Sequence, residues 1–127
     1  MESICALKEV YKALYQFEKD FSGKYGLTIN EAMLLCCLKD GKARTAGSVC
    51  EYIGLSLPRA SKIVTTMEKK DYVRRSIAKD DRRKMLFKLS LQGKEKVVLM
   101  QQSNIDMVSL CECMKNFIMN GKIIIKN

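Results

Sequence analysis

The strongest constraint on the fold is a change of hydrophobic period between residues 70 and 90. Up to Lys70, apolar residues recur every three or four positions, the spacing of helices that bury one face. Tyr72-Val73-Arg74-Arg75-Ser76-Ile77 and Met85-Leu86-Phe87-Lys88-Leu89 read instead as two short strands. Between them lies Ala78-Lys79-Asp80-Asp81-Arg82-Arg83-Lys84, a charged tip, so the pair is expected to be a β-hairpin. From Ser90 the helical spacing resumes. The expected class is therefore mainly α with a small β-hairpin.

Punctuation divides the helical part. Leu7, Val10, Leu14, Phe17 and Phe21 mark a first helix that ends near Gly23 and Gly26. Thr28 with Glu31 forms a capping box for a second, carrying Met33, Leu34, Cys37 and Leu38 and stopped by Gly41. Thr45 caps a third, with Val49, Cys50 and Ile53 inward, ending at Gly54. Ser56 is expected to cap a fourth, with Pro58 in its first turn, where the missing N–H costs nothing. That helix runs to about Lys70 with Ala60, Ile63, Val64 and Met67 as its apolar stripe. After the hairpin, Val98, Ile105, Val108, Leu110 or Cys111, Met114 and Ile118 predict one helix over 90–119. Roughly 29 residues at 1.5 Å give about 43 Å, more than a domain this small can cover, so part of its stripe needs another chain. The apolar tail Ile123-Ile124-Ile125 has no evident place.

Helix, tight Gly-containing turn and helix over 45–70 is the helix-turn-helix plan, in which the second helix enters the major groove. With the hairpin behind it, the expected architecture is a winged helix-turn-helix, as one domain over 1–127. Helices 1–22 and 90–119 would serve dimerisation, and 28–89 would be the DNA-binding core. The outward face of the fourth helix carries Pro58, Arg59, Ser61, Lys62, Thr65, Thr66 and Lys69. Arg59 and Lys62 can donate to guanine or phosphate, and Ser61 and Thr65 to base edges or phosphate. A solvated helix face would look the same. Charge position decides between the two. The chain has 23 Lys+Arg against 14 Asp+Glu, a net charge of +9. From Pro58 to Lys88 there are eleven basic residues and four acids, which leaves +7 of that +9 on the reading helix and hairpin. Such a concentration is a nucleic-acid footprint. The expected DNA-binding residues are Ser56, Pro58, Arg59, Ser61, Lys62, Thr65, Arg75, Lys79, Asp81, Arg82, Arg83 and Lys84.

Other classes have less to stand on. Histidine is absent, and no nucleophile motif or Gly-rich phosphate loop appears, so an enzyme is not expected. Cys5, Cys36, Cys37, Cys50, Cys111 and Cys113 sit in apolar stretches, where free cysteine acts as a small hydrophobe. Without histidine or a C-x-x-C pair, neither a metal site nor any cofactor is expected. A thiol sensor is the remaining alternative, and Lys8, one turn from Cys5, is the one nearby group to activate it. Residues 1–21 have no uninterrupted apolar core, and no stretch approaches a membrane span, so a cytoplasmic location is expected.

Specific stretches also resemble the MarR (multiple antibiotic resistance regulator) family of bacterial transcription factors, over about residues 28–100. They are Thr45-Ala46-Gly47-Ser48-Val49-Cys50-Glu51-Tyr52-Ile53-Gly54-Leu55-Ser56 and Met67-Glu68-Lys69-Lys70-Asp71-Tyr72-Val73, with Asp81-Arg82-Arg83 and Leu89-Ser90-Leu91-Gln92-Gly93. The last two are similar to the family's wing motif Asp-x-Arg and to the Leu-Thr-x-x-Gly that opens its long helix. The resemblance implies that Arg83 reaches the minor groove, oriented by a salt bridge from Asp81, while helix 57–70 lies in the major groove. It further implies a homodimeric regulator, commonly a repressor, bound to a pseudo-palindromic operator. Many members release DNA when a small aromatic effector or a thiol oxidant acts. Tyr11, Tyr15, Met33 and Cys37 are candidates to line an effector pocket, or are simply core. Two departures stand out: no extra C-terminal helix is expected, and Asp71 occupies a position where glycine is common. The alternative reading is a winged-helix module for protein or RNA without operator specificity.

Overall fold

The computed structural model describes residues 1–120, so the Ile123-Ile124-Ile125 tail lies outside the described residues. Six helices and one hairpin follow in order: α1 (Glu2–Tyr25), α2 (Ile29–Leu38), α3 (Ala46–Ile53), α4 (Leu57–Lys69), β1 (Val73–Ile77), β2 (Met85–Leu89), α5 (Leu91–Gln102) and α6 (Val108–Met119). The class is the one expected, mainly helical with a two-stranded antiparallel hairpin. The chain groups into two compact units, one of Met1–Gly26 with the segment from Ile105, the other Leu27–Asn104.

In the first unit, α6 runs back along α1. Phe21, Tyr25 and Leu110 are buried, and Phe21 stacks against Tyr25 with ring centroids 4.8 Å apart. Gly26, at φ 70°, ends α1 by donating its N–H to the Ser22 carbonyl, a left-handed stop that glycine adopts without steric cost. Much apolar surface stays outside: Ile4, Tyr11, Tyr15, Val108, Met114, Ile118 and Met119 are all exposed.

The second unit has the denser core, formed by Leu27, Leu34, Leu35, Leu38, Val49, Ala60, Val64, Met67, Val73, Phe87 and Leu89. Its caps form largely as the residue types dictate. The Thr28 hydroxyl accepts from Glu31 N at 3.1 Å, while Glu31 Oε1 accepts from Thr28 N at 2.8 Å. Such a box stabilises a helix start by about 0.5–2 kcal/mol. Thr45 accepts from Ser48 N in the same way at α3. Ser56 departs from expectation: it stands at the N-cap of α4, but its hydroxyl makes no capping bond. Met33 also departs, facing outward while Leu35 takes its place in the core.

The single helix expected over 90–119 is two. Ser103 turns to an extended backbone at φ −89°, ψ 139°, and its hydroxyl donates to the Leu99 carbonyl. Asp106 Oδ1 then accepts from Val108 N and starts α6. Both side chains offer the backbone local partners that compete with continued helix. The apolar spacing from Val98 to Ile105 survives this interruption, which is why periodicity alone runs through it. The chain thereby has a separate last helix, where the sequence led us to expect none beyond the long one. In α5 the buried face is Gly93, Val97 and Met100, with Val98 outward.

Ser90 and Gly93 fix the start of α5 in the second unit. The Ser90 hydroxyl donates to the Asp71 carbonyl and accepts from Gly93 N. A Cβ on Gly93 would stand 2.2 Å from the Tyr72 carbonyl oxygen. Only glycine lets the helix approach that closely. This gives the Leu89-Ser90-Leu91-Gln92-Gly93 motif a physical basis. Asp71 itself has φ 63°, the one non-glycine residue with positive φ among the described residues. The position glycine commonly fills is left-handed here too, and Asp is among the few residues that tolerate it.

Cys37 is buried in α2, and burial pushes its thiol above the ordinary value of 9.0, partly offset by Arg44. Cys5, Cys36 and Cys111 are exposed. A disulfide reagent should therefore label those three in native protein and reach Cys37 only on unfolding. Labelling of Cys37 with the fast group would mean that α2 opens readily. The folded state keeps the thiol neutral, so this contribution to stability is intact below pH 9 and fades as the unfolded thiol ionises above it.

Candidate nucleic-acid interface

The turn between α3 and α4 is short because Cys50 closes it twice. Its carbonyl accepts from Gly54 N and Leu55 N, at 2.9 and 3.2 Å, and its thiol donates to the Leu55 carbonyl. Gly54 sits at φ 80°. The turn delivers α4 with Ala60, Val64 and Met67 inward, so that Ser56, Pro58, Arg59, Ser61, Lys62 and Thr65 are all exposed. The Thr65 hydroxyl donates to the Ser61 carbonyl at 2.9 Å, and Thr66 to that of Lys62. Thr65 therefore presents lone pairs outward, and it would have to give up that bond to donate to a phosphate.

The far end of α4 is held by ion pairs. Lys70 Nζ lies 3.1 Å from Glu31 Oε1, and the carboxylate of Glu31 is buried. Arg75 Nη2 lies 2.7 Å from Glu68 Oε1 and its guanidinium covers the Phe87 ring at 5.2 Å. Arg75, a member of the expected DNA-binding set, is thus already engaged by Glu68 and the Phe87 ring.

The hairpin pairs Val73 with Leu89, Arg75 with Phe87 and Ile77 with Met85. Its tip closes through Ala78 N to the Lys84 carbonyl and Lys84 N to that of Asp81. Asp81 Oδ1 accepts from Arg83 N at 3.0 Å and lies 3.5 Å from Arg83 Nε. The Arg83 side chain is 94% exposed beyond this anchor. Lys79, Arg82 and Lys84 are exposed around it. Two expected groups thus present themselves on one unit, the outer face of α4 and the wing tip.

Arg44 has no role in the sequence reading. It pairs backbone to backbone with Phe87 in both directions at 2.8 Å, as a one-residue third strand beside β2. Its guanidinium binds Asp40 at 2.7 Å. The Lys42 N–H and that guanidinium hold the Asp40 carboxyl below the usual carboxylate range. The one sequence signal for Arg44 was its place just before the Thr45 cap.

The first unit contains a cavity of about 380 Å³ lined by Phe17, Phe21, Tyr25, Ile105 and Leu110 among others. The Tyr25 hydroxyl is buried without a hydrogen-bond partner among the described residues. None of Tyr11, Tyr15, Met33 and Cys37 lines this cavity. Among the described residues no three His, Cys, Asp or Glu side chains cluster to hold a metal, and no helix is long and apolar enough to cross a membrane.

The MarR family model matches residues 27–85. No curated protein matches the sequence significantly. AbsC, a MarR family transcriptional regulator from Streptomyces coelicolor, superposes with a TM-score of 0.67 at 23% identity, over 90% of this chain and 74% of its own. A probable transcriptional regulator from Pseudomonas aeruginosa gives 0.67 at 17% identity, over 87% and 80%. MepR of S. aureus, solved as a DNA complex, gives 0.61 at 15% identity, over 90% and 88%. At these identities the likeness establishes the winged-helix fold, and the family match covers its reading helix and most of its wing. Residues 27–85 thus match the MarR family model, within a chain whose fold is a winged helix-turn-helix.

Proposed function

We propose that the chain is a sequence-specific, duplex-DNA-binding transcriptional regulator, acting in the cytoplasm as a homodimeric repressor that a small ligand or oxidant releases. The observation that carries this reading is the wing: Asp81 holds the base of an arginine whose side chain is otherwise in solvent, beside an uncapped and exposed reading helix. An arginine entering a narrow minor groove gains from its negative potential. Ser56, Pro58, Arg59, Ser61, Lys62 and Thr65 would enter the adjacent major groove, with Lys79, Arg82 and Lys84 on flanking phosphates. Arg75 would act by bracing the hairpin against α4. The similarly folded S. aureus MepR, solved as a DNA complex, supports DNA as the ligand. An effector with an aromatic ring would fit the cavity lined by Phe17, Phe21 and Tyr25, where the Tyr25 hydroxyl has no partner among the described residues.

Fluorescence anisotropy against the DNA upstream of its own gene tests the reading. Preference for one duplex over unrelated sequence is expected. Equal binding to any duplex, or to RNA alone, would favour the interaction-module alternative.

The exposed apolar residues of α1 and α6 support dimerisation, since two helices alone cannot cover Ile4, Tyr15, Met114 and Ile118. Two reading helices would then sit about 34–36 Å apart, one turn of DNA. Light scattering at micromolar concentration should give twice the 14.5 kDa of one chain, and Tyr15→Asp should return it toward the monomer. A monomeric wild type with full DNA affinity would refute this assembly.

A further inference from the structure

We propose that Arg74 and Lys88 form a second anion site, on the outer face of the hairpin, that binds the phosphodiester backbone of duplex DNA apart from the wing tip. The proposal rests on the reading of the chain as a DNA-binding protein. Arg74 is paired directly with Lys88 across the two strands. Partners in an antiparallel pair project to the same face, and successive residues alternate. Val73, Phe87 and Leu89 are buried, so their face is the inner one. Arg74 and Lys88 therefore share the outer face, and both are exposed.

Like charges placed directly opposite destabilise a sheet. Four cations of the same unit have a carboxylate partner: Arg44 with Asp40, Lys70 with Glu31, Arg75 with Glu68 and Arg83 with Asp81. No carboxylate among the described residues forms an ion pair with Arg74 or Lys88. From Val73 to Leu89 there are seven basic residues against Asp80 and Asp81, and both acids lie at the tip. The pair is thus a local concentration of positive charge, without an ion-pair partner among the described residues, that an outside anion can relieve. Its chemistry suits phosphate, with a planar guanidinium for two oxygens and an ammonium as a point charge beside it. The face is open and has no enclosing wall. A small free anion would be held loosely there, whereas a polymer already engaged by α4 and the wing tip brings its next phosphates to the pair at no new cost of association.

The test measures how affinity for a labelled mixed-sequence duplex falls with salt, using the full chain. Each phosphate contact contributes a slope of about 0.9 in log K against log salt. Arg74→Gln with Lys88→Gln should lower the slope by about 1.8, and each single change by about 0.9. The ratio of affinities for a preferred and an unrelated duplex should not move. The thermal midpoint of the double variant should equal or exceed that of wild type, because the opposed charges are gone. Lys94→Gln removes an exposed charge from α5 and should leave the slope as it is. An unchanged slope in the double variant, or an equal fall in Lys94→Gln, would overturn the site and leave the DNA-binding reading standing. A wild-type chain that binds no duplex would overturn both.

Discussion

Gly93→Ala is expected to cost the second unit about 3 kcal/mol, at the upper end for a small residue enlarged in a packed site. The thermal midpoint should fall by roughly 10–20 °C. The cause is local and rigid. The new methyl would stand 2.2 Å from the Tyr72 carbonyl oxygen and 3.2 Å from a methyl of Leu89. The leucine can move, but the carbonyl belongs to the turn that leads into β1. It also accepts from Ser90 N. Either α5 lifts away, breaking that bond, or the hairpin turns and carries the wing with it. Ser90→Ala should cost less, about 1–2 kcal/mol, since it removes one hydroxyl that serves both Asp71 and Gly93. Calorimetry of the two variants checks the order. Equal midpoints for Gly93→Ala and wild type would mean that the close approach is not a feature of the folded chain.

The second large effect is on binding, and the sign of one variant matters more than its size. Arg83→Ala should weaken binding to the preferred duplex at least tenfold, within the 1–3 kcal/mol of a good groove contact. Stability should hardly change, because the side chain is 94% exposed. Asp81→Ala removes a negative charge beside DNA, so simple electrostatics predicts tighter binding. The geometry predicts the opposite. Asp81 Oδ1 accepts from the Arg83 amide and lies near its Nε, so the carboxylate sets both the turn and the direction of the guanidinium. Weaker binding in Asp81→Ala would support the orienting role, and an affinity gain would end it. Unchanged affinity in Arg83→Ala would remove the wing contact from the mechanism. Anisotropy titrations at one salt concentration, paired with melting curves, separate these outcomes.

Features that depend on a few neighbouring residues were the legible ones. Thr28, Glu31, Thr45, Gly26 and Gly54 mark their helix ends because a cap is settled within three or four positions. The hairpin was legible because its period differs from that of its surroundings. The break at Ser103 was not, since hydrophobic spacing is blind to a side chain that competes for a backbone carbonyl. At the candidate interface, charge marked the wing and the face of α4. It did not mark which charges are already paired. The commitment of Arg75 to Glu68 depends on how the Asp71 turn sets β1 against α4. Arg44 escaped for a different reason: its main part is played by its backbone, against a residue far along the chain.

The two sides of the hairpin are not alike. Phe87 in β2 has a backbone partner on each side, Arg75 and Arg44, whereas β1 has none on its outer side among the described residues. An open row of amides and carbonyls is a template on which a second copy of the same strand can grow. The segment Val73–Ile77 begins and ends with a β-branched residue, so it is suited to such growth. Arg74 and Arg75 lie at its centre, and two copies brought edge to edge would set cation against cation. Positive charge on this strand therefore guards solubility as well as drawing in anions. The chain would be most prone to aggregate in high salt, where that repulsion is screened.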